Sequence, residues 1–173
     1  MGCKILFEDG LIRKFIEDNQ YDEVIKKSIL NHNKSCIPDG LNEMEEKFSK
    51  VIRDADKTDI FYVLLTSKIE SCYEKADVSK DLISDEIYRE FMEDRVINYK
   101  NRKSSADIWV SHNAFIFDFN YNFCLQKVKN EKYLERLLEK MNFTNEDTIK
   151  KANEILRVAN EYMDKQLNNK NIN

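Results

Sequence analysis

Glycine and proline are almost missing from this chain. Its 173 residues include three glycines and one proline, against the roughly 12% of positions that the two residues fill in an average protein. Turns between strands draw on both, glycine for left-handed backbone and proline for its fixed φ. A sandwich, barrel or doubly wound sheet needs such turns at every strand end, so the expected fold class is all-α. Gly2, Gly10 and Gly40 stand alone, and no G-x-G-x-x-G or G-K-[ST] string occurs. A glycine loop cradling phosphate is therefore excluded.

Charge narrows the partners. There are 28 basic and 32 acidic residues, for a net charge of −4, which gives no field that would draw the chain onto nucleic acid or anionic lipid. No apolar run approaches the roughly 18 residues of a membrane span, so no membrane partner is expected. The first residues lack the pattern of a signal peptide because Glu8 and Asp9 interrupt the apolar run at once, and a cytoplasmic location is expected. Cys3, Cys36, Cys72 and Cys124 are scattered without a C-x-x-C pair; they read as reduced and mostly buried thiols.

The apolar run at residues 1–9 starts without a capping residue, as though the element began upstream. Gly10 is a stop, Leu11, Ile12, Phe15 and Ile16 form a short helix, and Tyr21, Val24, Ile25, Ile29 and Leu30 mark another that ends near Asn33. Lys34 to Leu41, with Pro38-Asp39-Gly40, is a loop. Asn42 followed by Glu45 has the spacing of a capping box and opens a long periodic segment from Met44 to about Tyr73. A polar interval follows at 74–80. Ser84 precedes a short helix around Ile87–Met92, and 95–105 reads as a basic loop. Ser104 or Ser105 would cap an aromatic-rich helix from Ala106 to about Val128. Tyr133 to Met141 is another helix. The last, begun by Thr144 and Asp147, carries Ile149, Ala152, Ile155, Leu156, Ala159, Tyr162 and Met163 as a narrow apolar stripe. Residues 168–173 should fray.

Two polar residues interrupt apolar patterns. Phe48, Ile52, Asp56, Ile60 and Leu64 are spaced four apart and climb one helix face, and a carboxylate on a buried apolar face must be paired, neutralised or bound to a metal. A salt bridge to Arg53 or Lys57 is the plain alternative. His32 shares a face with Ile25, Ser28 and Ile29 at a helix end, where an imidazole packs, bonds the helix terminus or ligates a metal; Asp56 or Asp54 would be its partner. Asp56 lies about 21 Å up its helix from Asn42, so a site shared with His32 requires the 33–41 loop to travel back along the fold. His112, among Ile108, Phe115 and Ile116, reads as a packing residue. The 95–103 loop, with Arg95, Lys100, Arg102 and Lys103, could grip a phosphate, although Glu93 and Asp94 partly cancel it.

The string Ile29-Leu30-Asn31-His32-Asn33, followed by Val51-Ile52-Arg53-Asp54-Ala55-Asp56-Lys57-Thr58-Asp59-Ile60-Phe61, resembles the HD-domain metal-dependent phosphohydrolases. The resemblance implies an all-helical domain, of which this chain would be the C-terminal portion. Residues 1–75 would be a remnant of the HD helical core and 81–167 a helical region packed on it. It also implies a divalent metal (Mn, Fe, Mg or Zn) in a complete member, with Asp56 and His32 among its ligands. Arg53 and Lys57 would meet the phosphate of a phosphorylated small molecule or nucleotide. The family's His-Asp doublet is absent, since His112 precedes Asn113 and the chain has only two histidines. Catalytic sites of this kind want about three protein ligands, so this chain is expected to hold metal weakly or not at all and to be inactive. The alternative is a catalytically dead helical module for binding or oligomerisation, pairing with its own copy through an apolar face left open where the first helices would pack.

Overall fold

A computed structural model describes residues 2–73 and 75–169. Glu74, within the polar interval at 74–80, and residues 170–173 of the expected frayed tail lie outside the described residues. Among the described residues the chain is helical with no strand, as the scarcity of turn residues requires. Eight α-helices run in order: α1 (Asp22–Asn31), α2 (Glu43–Thr66), α3 (Ile69–Tyr73), α4 (Asp85–Met92), α5 (Ser105–Asn113), α6 (Asn122–Asn130), α7 (Tyr133–Met141) and α8 (Glu146–Asn168). A π-helical turn at Lys4–Glu8 and a 3-10 turn at Leu11–Lys14 precede them, on either side of Gly10 in left-handed backbone at φ 71°.

The chain divides into two compact units, residues 1–56 and 57–173, with the boundary inside α2 rather than in the polar interval. The second unit holds the apolar core. Phe61, Ile83, Ile87, Phe91, Trp109, Ile116, Leu134, Leu137, Ile155 and Met163 are all sealed from solvent. α8 is its mast, touching α4, α5, α6 and α7 along the stripe Thr148, Ala152, Ile155, Ala159 and Met163. Small residues at 152 and 159 let neighbours approach closely, and rings fill the gaps, with Phe117 4.8 Å edge-on to Tyr162 and 5.0 Å from Phe91. Ile149, expected in that stripe, is exposed, and Asn145 rather than Thr144 caps the helix by accepting the Thr148 N–H at 3.0 Å.

Two expected helices are broken. The segment from Met44 to Tyr73 stops at Thr66 because the Lys140 ammonium gathers the carbonyls of Leu64, Leu65 and Ser67, a C-terminal cap supplied from α7. The segment from Ala106 to Val128 splits into α5, a 3-10 turn at Ala114–Asp118 and α6. The break follows Asn113, whose buried amide donates to Trp109 O at 2.7 Å.

The first unit is built the other way round. Among its described residues the only buried apolar side chain is Ile12, whereas Ser28, Asn31, Glu45, Ser49, Arg53 and Asp54 are buried. The Asn42–Glu45 capping box forms as expected: Glu45 N–H donates to Asn42 Oδ1 at 2.9 Å and Asn42 N–H to Glu45 Oε2 at 3.0 Å.

Candidate functional site

In the first unit, α2 turns its polar side inward. Glu45, Ser49 and Arg53 are spaced four apart, hence on one ridge, and that ridge is buried. Glu45 pairs with Lys27 at 2.9 Å; the Lys27 hydrogen bond and the Asn42 N–H together hold its carboxyl below the usual carboxylate range. Asn31 Nδ2 reaches Ser49 Oγ at 3.5 Å. Arg53, only 2% exposed, fans its guanidinium over the carbonyls of Asn31, Lys34 and Ser35. Those oxygens close α1 and begin the next loop, so one cation caps the helix and fixes its exit.

The outer side is apolar. Met44, Phe48, Val51 and Ile52 are 46%, 46%, 43% and 38% exposed, and Ala55 is exposed beside them. The face that runs Phe48, Ile52, Asp56, Ile60, Leu64 is therefore open at its first two positions and buried at Leu64, with Asp56 and Ile60 half-buried between them. The buried ridge lies one residue, about 100°, further round the helix. Apolar spacing marks a stripe; it does not say which side of the helix is covered.

Asp56 is half-buried and so is His32, which follows α1 as its C-cap residue. The His32 Nδ1–H donates to Ile29 O at 2.6 Å, and that tautomer leaves the lone pair on Nε2. Arg53 is committed to the α1 carbonyls, and Lys57 pairs with Asp118 at 2.8 Å while only 7% exposed. Both cations are thus engaged by the protein itself rather than presented to a phosphate. Among the described residues no three His, Cys, Asp or Glu side chains converge as a metal-ion site, so the donors present do not fit the metal that the resemblance implies. The four cysteines are free thiols; Cys36 is exposed and the others half-buried, less buried than expected.

In the second unit the N-termini of α4, α5 and α8 line an open groove of about 620 Å³ that also carries Lys75, Lys80, Lys103 and Lys151. Helix N-termini attract anions, but here the chain supplies its own. Asp107, wholly buried, accepts the Ser84 N–H at 2.8 Å and the Lys103 N–H at 2.9 Å. Asp81 accepts the Ser105 N–H at 3.0 Å and pairs with Lys75, and Asp85 and Asp147 pair with Lys151 at 2.7 and 2.8 Å. Reading by residue missed Asp107. Its signal was present, because Ser104-Ser105-Ala106-Asp107 has capping spacing, and Ser104 Oγ does accept the Asp107 N–H at 3.0 Å. The basic loop is tied down too: Arg102 bonds Tyr99 O at 3.0 Å and Ser111 Oγ at 3.3 Å, Arg95 pairs with Glu93 and Lys103 with Glu86.

His112 packs edge-on to Phe115 at 5.5 Å between ring centroids, with Nδ1 sealed from solvent. Burial, with the Arg102 charge adding to it, pushes its imidazole down to about 4 from 6.5. The unfolded chain then binds a proton that the folded chain refuses, so stability is complete above about pH 6.5 and drains as pH falls toward 4. The full loss is about 3 kcal/mol. His112→Gln is expected to flatten the fall in urea midpoint between pH 6.5 and 4 by one proton's worth; an unchanged slope would show that His112 does not carry it.

No family model matches the chain, and no curated protein or solved structure matches it either.

Proposed function

We propose that this chain is a helical interaction module whose first unit offers the α2 ridge of Met44, Phe48, Val51, Ile52 and Ala55 to a protein partner. The inversion of α2 between residues 44 and 55 carries this reading: Glu45, Ser49, Arg53 and Asp54 are buried while Met44, Phe48, Val51, Ile52 and Ala55 face solvent. Scattered apolar residues on a surface are ordinary. A contiguous stripe backed by a buried polar ridge is not, and such patches mark interaction sites. In dilute protein the double variant Phe48→Lys, Ile52→Glu is expected to keep its far-UV helix content, since substitutions away from internal contacts fall within about 0.5 kcal/mol. Binding of an apolar fluorescent dye, or association with another chain, should drop. Loss of helix in that variant would make the ridge internal packing and overturn the reading.

A second reading, at family level, is the inactive remnant of a metal-dependent phosphohydrolase whose complete members would act on a phosphorylated small molecule or nucleotide; it is supported by the resemblance and by one contact. The His32 Nδ1–H bond to a backbone carbonyl is the way ligating histidines are held with Nε2 toward a metal. Equal metal content in the native chain and in Asp56→Asn would remove Asp56 from that reading.

A further inference from the structure

Resting on the interaction-module reading, we infer that the occupant of the α2 ridge is a second copy of this chain, lying antiparallel to the first. A two-fold contact requires one patch to complement itself. On α2, Phe48 and Ala55 lie seven residues apart with Val51 and Ile52 between them, so all four share one face over two turns. A two-fold axis between positions 51 and 52 sets each copy's Phe48 over the other's Ala55, and each Val51 beside the other's Ile52. Bulk then meets a small residue at both ends, which close packing demands. A parallel pairing would stack Phe48 on Phe48 and leave a gap at Ala55.

Charge permits the contact. The five ridge positions carry no charge, and the rim is mixed: Glu43, Lys47 and Asp59 are exposed, Glu46 is paired to Lys50 within the helix at 2.5 Å, and the axis sets each Met44 opposite the other copy's Asp59. Two copies therefore meet without a row of like charges, the usual bar to self-association.

Area is sufficient as well. From their fractional exposures, Met44, Phe48, Val51 and Ile52 each leave on the order of 70–100 Å² in water, and with Ala55 the ridge amounts to about 350 Å². Two copies would bury about 700 Å² of it, which makes the contact one of the small, weak class, where a dimer separates on dilution.

Sedimentation of the full chain tests this directly. At tens of micromolar the native chain should run at twice its 20.6 kDa mass, and Phe48→Lys should run as a single chain with its helix content intact. Position 52 lies half a residue from the axis, so its own copy is offset by only about 1.5 Å along the helix; Ile52→Cys should oxidise to a covalent dimer, whereas Phe48→Cys, offset from its own copy by about 10 Å, should not. Equal cross-linking of the two would overturn the antiparallel arrangement, and a Phe48→Lys chain that stays dimeric would place the interface elsewhere and overturn the inference. A native monomer that binds apolar dye through the ridge would overturn the second copy as occupant and leave the module reading standing. A native monomer that binds neither dye nor any other chain would remove both.

Discussion

Asp107→Ala is expected to lower the unfolding free energy of the second unit by about 3 kcal/mol, because two N–H groups lose a charged acceptor in a site closed to water. The carboxylate is wholly buried and holds Ser84 and Lys103 at 2.8 and 2.9 Å. It therefore ties the start of α4 to the residues just before α5. Asp107→Asn should recover only part of the loss, since one of its two ends becomes a donor facing a donor. Urea unfolding followed by far-UV circular dichroism measures both variants. A shift below about 1 kcal/mol for alanine would mean that water satisfies these amides and that Asp107 is dispensable.

The second large effect lies at Arg53. Among the described residues of the first unit only Ile12 is a buried apolar side chain, so the guanidinium replaces a hydrophobic centre. Arg53→Met removes the donors that collect Asn31 O, Lys34 O and Ser35 O. Leaving carbonyls and buried polar neighbours unmatched should cost about 3 kcal/mol. Amide hydrogen exchange should then accelerate in α1 and the 32–36 segment, and Arg53→Lys should not restore protection, because a compact ammonium cannot span three acceptors as a planar fork does. Protection factors in α1 that match the native chain would show that the clamp is incidental.

These two residues show what a linear reading could and could not reach. The all-helical class was legible from the shortage of glycine and proline, and the Asn42–Glu45 box and the Ser84 cap were legible because capping acts over three residues. The end of α2 was not, since Lys140 intervenes from another helix. The same limit governed the candidate site. Periodicity located the apolar stripe through Phe48 and Ile52, but burial is decided by what the rest of the chain places against a helix. Here Glu45, Ser49 and Arg53 won that position because the ends of α1 and its loop present carbonyls and polar side chains to them.

The contrast between the two halves has a thermodynamic consequence. A region held by polar clamps carries little of the heat-capacity change that buried hydrocarbon confers, while residues 57–169 hold nearly all of it. Amide exchange is then expected to report opening of the amino-terminal portion beneath the global transition.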